Sequence, residues 1–521
     1  MKTRTILLCL MTLLAGWLRF TATSFGLPDK FRPDEEYVVS RALGFDQDWN
    51  PHFATYPAAQ MYVDHVALIL VAKLTGDHSD FRESYVGDNG SGAYLVARRV
   101  SAALGTATIP AIYMAAAPLG AEAALAAAAI MTVSTLHVRE SKYATTDAGA
   151  VFWLVLCLAM VVRMVYAGRE TNYLMAGCFA GFAVATKYPA GAVIAAIVVG
   201  HGEARVHEGR SILRSLLDIR IYLAGFATLV TFLCATPYFV LDWGQTVHDY
   251  VYQRGFVLDG LPNPLATYKW SWLMFHAAPE AYGYALMGLF IGAASWTVLH
   301  RKPGTVALFA FVVACIMPLI YSRYLFYRYL VFPLPGFVLL AAALMSDLIE
   351  STQARLGFIG ARAVVFAGIA FLLLPSIHND LALNRLLLRD DTRTIGRKWI
   401  EANIQPGTEI AVSDLANLCG KPQLPQSYRY VALQPLDILK KENIQWVLSD
   451  TLPAIVFYSR GVSPEEMEEL SARGTQMLDI NPIKPDRPPP KYDPVDAYYA
   501  PIANISSAER AGPRIRIWRL N

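Results

Sequence analysis

The chain has 521 residues, 55% of them hydrophobic and 17% charged, with a mean hydropathy of +0.34 and a formal net charge of +3. Long apolar runs recur from the N-terminus to about residue 378, which excludes a soluble enzyme and predicts a polytopic α-helical membrane protein. So small a net charge gives no ground for a nucleic-acid partner, and Cys9, Cys157, Cys178, Cys234, Cys315 and Cys419 show neither disulfide nor metal spacing.

The first apolar run, TILLCLMTLLAGWLRF, follows MKTR, and no small-x-small cleavage site follows it, so it is expected to be an uncleaved first span. Windows of roughly twenty apolar residues then place spans near 5–23, 98–118, 120–137, 148–167, 172–186, 187–201, 220–237, 281–299, 304–322, 326–348 and 360–378, about eleven in all. The stretch YPAAQMYVDHVALILVAKLTG is apolar but carries Asp64, His65 and Lys73, and is expected to be an amphipathic helix at the membrane interface.

Lys2, Arg4, Arg163, Arg169, Arg205, Arg210, Arg214, Arg220, Arg301 and Lys302 all fall on one side of such a bundle, which predicts that side to be cytoplasmic. The first large loop (24–97), the link at Lys187, the loop 238–280, the turn 321–328 and the tail from 379 are then extracytoplasmic. The loop 238–280 is long, aromatic and polar, and is expected to fold as short interfacial helices. The chain therefore divides into a transmembrane domain, 1–378, and a C-terminal extracytoplasmic domain, 379–521, in a multi-pass protein of the cell membrane.

In that tail DTRTIGRKWIEAN has a helical period, Pro406-Gly407 makes a turn before the strand-like TEIAVS, and IQWVLSD and RIRIWRL are further strands. SPEEMEELSARG is a helix capped by Ser463, and the proline-dense NPIKPDRPPPKYDP is an extended loop. The alternation predicts a small α/β domain.

The outer loops carry the chemistry. KFRPDEEYVV places Asp34, Glu35 and Glu36 after the first span, and HVRESKYATTD, ATKYPAG, ATPYFVLDW and YSRYLFYRYLVFPLPG combine aromatic rings with cations, carboxylates or hydroxyls. An apolar bundle rimmed in this way suits a lipid substrate with a polar head. Singly, Arg19, Arg139, Lys142 or Trp243 would be an ordinary interface anchor.

The ordered set WLRF, Asp34-Glu35, WNPHFATYPAAQMY, YATTD, ATKYPAG and RYLVFPLPG, spread over residues 15–340, resembles the GT-C superfamily of integral-membrane glycosyltransferases. Within it the chain is most similar to the bacterial branch of the dolichyl-phosphate-mannose protein mannosyltransferases, and DTRTIGRKWIEANIQPGTEIAV is similar to that branch too. The resemblance implies inverting transfer of a sugar from a polyprenyl-phosphate donor to an acceptor hydroxyl of a protein, lipid or glycan, at the outer face of the bilayer.

Such transfer needs a carboxylate to take the acceptor proton; Asp34 is the candidate general base, and Glu35 would hold the acceptor or tune Asp34. The alternative is that both acids cap a helix starting around Glu36. The leaving lipid phosphate needs cations, for which Lys187 and Arg328 are first and Arg139 and Arg323 second, each also readable as a snorkelling side chain. Tyr56, Tyr143 and Tyr188 are candidates to stack on the sugar. Asp147 is expected to N-cap the fourth span unless, with Asp34, it holds a divalent metal; otherwise the residues ask for no cofactor. A flippase for lipid-linked glycans, or a non-catalytic subunit of their assembly, are the readings from other classes.

Overall fold

The structure, a computed structural model, describes residues 2–75, 90–211, 215–259, 270–322, 326–412, 420–451, 463–493 and 500–521. It is mostly helical with one small sheet near the C-terminus, and it splits into two compact units. The first comprises Met1–Thr23, Tyr37–Asp259 and Tyr268–Asp380; the second comprises Ser24–Glu36 and Leu381–Asn521.

The first unit is built on α1 (Lys2–Phe20), α2 (Pro33–Gly44, whose first turn belongs to the second unit), α3 (Ala59–Thr75), α4 (Ser91–Ala116), α5 (Ala121–Thr132), α6 (Thr135–Glu140), α7 (Asp147–Ala167), α8 (Glu170–Thr186), α9 (Val193–His207), α10 (Ile219–Ala235), α11 (Trp243–Asp259), α12 (Tyr284–His300), α13 (Thr305–Tyr321) and α14 (Leu334–Leu387). Gly357, at φ +68°, breaks α14 into two helices. Helices thus stand at all the expected span positions, but among the described residues only four are long and apolar enough to cross a membrane, or five if the bent pair Trp270–Tyr282 and Tyr284–His300 is one broken span. For three of the others the difference is one of length: α5 has 12 residues and α10 and α13 have 17 each, against the roughly twenty needed to cross about 30 Å of hydrocarbon. Where a helix from 326 is expected, Tyr327–Val331 form a 3-10 turn and α14 begins only after Pro333.

Polarity is distributed as in a protein solvated by lipid. Ile6, Leu10, Leu13, Tyr222, Phe226, Leu229, Val364 and Phe371 face outward, whereas Arg19, Arg98, Arg139, Lys142 and Asp147 are buried. The helix α3 departs from the amphipathic interfacial helix expected there. Gln60, Asp64 and His65 are buried, Val63, Val66, Leu70 and Leu74 are exposed, and the helix packs on α4. Its polar residues find partners inside the protein, with Gln60 Nε2 donating to Asp64 Oδ1 at 2.9 Å and His65 Nδ1 sitting 2.7 Å from Ala42 O, although Asp64 Oδ2 is buried without a hydrogen-bond partner.

Pairing between helix ends fixes the threading. Arg4 at the start of α1 reaches Glu122 at the start of α5 (3.0 Å), which also accepts from Arg362 (2.7 Å). Glu203 late in α9 accepts the N–H groups of Gly304 and Ala307 at the start of α13 (3.1 and 2.9 Å), and Lys302 pairs with Asp347. At the other end of α1, Arg19 donates to the carbonyls of Met131 and Thr132 at the end of α5, 3.1 Å each. α1 and α5 therefore run parallel, as alternating spans require. Two glycines set the closest approach: a Cβ on Gly177 or Gly181 of α8 would lie 2.3 Å from Ala224 O or 2.6 Å from Thr228 O of α10.

The loop after α10 is helical over most of its described length, with Tyr238–Leu241, α11 and the run Trp270–Tyr282; its part 260–269 lies outside the described residues. α11 has 17 residues, longer than the short helices expected.

The second unit contains α15 (Thr392–Asn403), β1 (Glu409–Val412), β2 (Arg429–Ala432), α16 (Leu436–Lys441), β3 (Trp446–Thr451), α17 (Pro464–Arg473), β4 (Gly474–Ile480) and β5 (Arg514–Leu520). The sheet order is β2-β1-β3-β5-β4, with β1 parallel to β2 and β3, and β5 antiparallel to β3 and β4. α15 lays Ile400 against Ile410, Val412, Leu448, Ile515 and Ile517 on one face; α16 and α17 cover the other through Leu436, Leu439 and Leu470. Ser463 and Glu466 form a reciprocal capping box at the start of α17, as the spacing predicts. Within 481–493 the proline-dense stretch makes only isolated bridges, Ile483 with Ala508 and Lys491 with Ala503.

Candidate active site

Two adjacent helix ends of the first unit carry the strongest polar arrangement. Asp147 stands in the first turn of α7, where unpaired backbone N–H groups favour a carboxylate. Thr146, not Asp147, occupies the N-cap position. Lys187 follows the last turn of α8 in an extended conformation (φ −157°, ψ 123°), held by its own N–H to Ala183 O at 2.9 Å. That geometry sends Nζ to Asp147 Oδ1 at 2.6 Å, with the two side chains 7% and 1% exposed. The rings of Tyr56, Tyr329 and Phe332 surround the ammonium, with centroids 6.0, 6.0 and 5.5 Å away. A charge pair so enclosed is held by mutual attraction and by ring quadrupoles rather than by water.

Arg328 and Arg139 occupy elements of their own. Arg328 is buried in the 3-10 turn Tyr327–Val331 with its guanidinium 4.4 Å from the centroid of Phe326. The turn is locked by Tyr327 OH donating to Glu280 Oε2 and Tyr282 OH donating to Leu330 O, both at 2.6 Å. Arg139 is buried in α6, pairs with Glu140 at 3.2 Å, and lies 5.8 Å from the ring of Tyr143, which has no exposed surface. Arg323 lies outside the described residues.

A cleft partly open to solvent lies beside Tyr56 and Tyr188. Asn50, Phe53, Tyr238, Phe239, Asp242 and Gln245 complete much of its wall. The loop that forms one side is pinned by Asp249 of α11, whose Oδ2 accepts the N–H groups of Ala54 (2.7 Å) and Thr55 (3.1 Å), while Tyr188 OH donates to Ala54 O at 2.9 Å. Partial burial works against the charge on Asp249, but those amides with His248 and Gln245 hold its carboxyl below the ordinary range, so it caps the loop as an anion. Asn50 Nδ2 donates to Asp242 Oδ2 at 2.8 Å. Sequence reasoning missed Asn50, Asp242, Gln245 and Asp249. The Asn-Pro-His run, and Asp242 and Asp249 two helical turns apart, were the signals available.

Asp34 and Glu35 lie in the second unit's share of α2. The helix begins at Pro33, so both fill its first turn instead of capping a helix from Glu36. Pro33 suits that first position, and the carboxylates complement the helix dipole. Glu35 is buried and Asp34 half-buried. Among the described residues no group of three His, Cys, Asp or Glu side chains converges as metal donors.

Arg19 and Lys142 differ from the interface anchors expected of them, whereas Trp243 is exposed as an anchor would be. Arg19 Nη2 donates to His137 Nδ1 at 2.8 Å, and Lys142 Nζ donates to the carbonyls of Leu18 and Thr21 just after the last turn of α1, the latter at 2.8 Å. Burial, then the neighbouring Arg19 charge, lowers the Lys142 ammonium from 10.5 to about 7, against a partial pull upward from Asp380. The unfolded chain therefore binds a proton between about pH 7 and 10.5 that the folded chain does not, so stability rises with pH through that window and is lost as pH falls to 7. Lys142→Met should flatten that part of the profile, by up to about 1.4 kcal/mol per pH unit, in thermal midpoints of the detergent-solubilised protein.

The mostly helical architecture with a small C-terminal sheet is similar in fold to solved structures. Residues 65–243 match the family model for dolichyl-phosphate-mannose-protein mannosyltransferase, in agreement with the motif resemblance. Among solved structures, ArnT from Cupriavidus metallidurans with bound undecaprenyl phosphate is 14% identical with a TM-score of 0.50, covering 99% of this chain and 97% of its own. The oligosaccharyltransferase of Archaeoglobus fulgidus, tethered to an acceptor peptide, is 12% identical with a TM-score of 0.47 over 86% of this chain and 69% of its own. The S. cerevisiae protein O-mannosyltransferase Pmt1-Pmt2 complex bound to its sugar donor is 20% identical with a TM-score of 0.34 over 50% of this chain and 35% of its own. No curated protein matches the sequence.

Proposed function

We propose that the protein transfers a sugar from a polyprenyl-phosphate donor to an acceptor hydroxyl, with inversion, at the extracytoplasmic face of the cell membrane. The observation that carries this reading is the enclosed Asp147–Lys187 pair, ringed by Tyr56, Tyr329 and Phe332 inside and beside the region matched to the mannosyltransferase family. A lipid phosphate that acquires charge as its bond to the sugar breaks is stabilised by fixed cations in a water-poor site. Lys187 and Arg328 take that role in the proposal, with Arg139 and Arg323 in support. Such a leaving group needs no general acid, whereas the attacking hydroxyl needs a base, which is Asp34, with Glu35 holding the acceptor or tuning its neighbour. Tyr56 and Tyr188, on the wall of the cleft, offer rings for the sugar, and Tyr143 and Asp147 complete the proposed substrate-binding set.

The test is turnover of synthetic polyprenyl-phosphate mannose by the purified full chain in nanodiscs, read as release of polyprenyl phosphate. Alongside it, mass spectrometry of membrane glycolipids and glycoproteins from cells with and without the protein identifies the acceptor. Release of the lipid phosphate with a product of inverted anomeric configuration is the expected result. Movement of the lipid across the bilayer without bond cleavage would replace this reading by that of a flippase.

A further inference from the structure

The segment that carries the acidic pair belongs to the second unit and is fastened to that unit's C-terminal part at three successive residues. Asp29, buried, accepts a hydrogen bond from Thr394 Oγ1 at 2.8 Å and pairs with Arg397 Nε at 3.1 Å. At Lys30 the carboxamide of Gln423 takes both backbone groups, accepting the N–H at 2.9 Å and donating to the carbonyl, as a neighbouring strand would. Phe31, also buried, lies under Arg393, whose guanidinium is 3.8 Å from the ring centroid. Arg393 is itself fixed by a two-pronged contact to Asp391, at 2.7 and 2.6 Å, and Asp391 caps α15. Buried Arg32 and half-buried Pro33 follow, and then Asp34.

We infer that Thr394, Arg397 and Gln423 are positioning residues: the C-terminal unit clamps residues 29–31 so that the first turn of α2 presents Asp34 in one orientation. The inference rests on the proposed role of Asp34 as general base. A base must stay within hydrogen-bond reach of the proton it takes, and a displacement of about 1 Å can cost on the order of a hundredfold in rate. A turn-rich segment without those contacts would sample many orientations. The clamp gives the tail a task in the reaction although none of the three residues need touch substrate.

Two variants test it, Gln423→Ala and Arg397→Met, in the full chain with synthetic polyprenyl-phosphate mannose and a membrane extract as acceptor source. Each is expected to lower kcat about tenfold to a hundredfold with the donor KM unchanged, and to speed hydrogen exchange in residues 29–36; the thermal midpoint stays near wild type in Gln423→Ala, whereas Arg397→Met also strands buried Asp29 and lowers it. Exchanging the partners, Asp29→Arg with Arg397→Asp, is expected to recover part of the rate. In an Asp34→Asn background Gln423→Ala should cause no further loss, because the clamp acts only through Asp34. If Asp34→Asn is inactive while both clamp variants turn over like wild type, the clamp is overturned and the base assignment stands. If Asp34→Asn turns over normally, both fall. A further loss from Gln423→Ala in the Asp34→Asn background would also overturn the clamp, since the effect would then reach the reaction by another route.

Discussion

Asp34→Asn is expected to lower sugar transfer by about a hundredfold to ten-thousandfold while the protein stays folded and still binds its lipid donor. Asparagine keeps the size of aspartate and its capacity to hydrogen-bond, but it cannot accept the acceptor's proton. In the first turn of α2 the exchange removes one favourable contact with the helix dipole, worth about 0.3–1 kcal/mol, which is small beside the loss of a base. The two roles of this carboxylate are therefore separable by a single measurement of turnover against thermal midpoint. Chelation of the wild type belongs in the same experiment. Activity that disappears with a chelator and returns with a divalent cation would assign Asp34 to metal binding instead, and near-normal turnover of the asparagine variant would leave Asp34 as a helix-terminus residue only.

Lys187→Met is expected to have two effects that a second substitution separates. Removing one partner of a buried pair strands the other: Asp147 would remain 1% exposed without its cation, at a cost of about 3–5 kcal/mol. Removing both charges, Asp147→Asn with Lys187→Met, should restore most of that stability, because neither group is then left uncompensated. Donor use should not be restored with it. A lost cation contact to the leaving phosphate costs about 2–4 kcal/mol of transition-state stabilisation, so the stable double variant should stay slow with polyprenyl-phosphate mannose. Arg328→Ala, outside the ion pair, should show the donor defect as well. Recovery of both stability and transfer in the double variant would make the pair a scaffold and move the phosphate site elsewhere.

The sequence by itself determined where the helices of the first unit lie, because an apolar run is a local property, but not how many of them cross a membrane, and it placed α15, β1, β3, α17 and β5 in the tail by periodicity and by the Ser463 cap. It also singled out Asp34, Lys187, Arg328 and Tyr56 by residue type and motif. Which charges meet was decided only in three dimensions. Asp147 and Lys187 are forty residues apart and Asp29 and Thr394 are 365 apart, separations over which no periodicity or motif carries information. The same limit explains α3: Asp64 and His65 look like the wet side of an interfacial helix until both are seen to be buried, with Gln60 and Ala42 as partners. It explains Arg19 and Lys142 too, whose donors end on backbone carbonyls of other segments rather than on water. Burial of a charge is stable only where partners from distant parts of the chain converge on it, and that convergence is a property of the tertiary packing, not of any stretch of sequence.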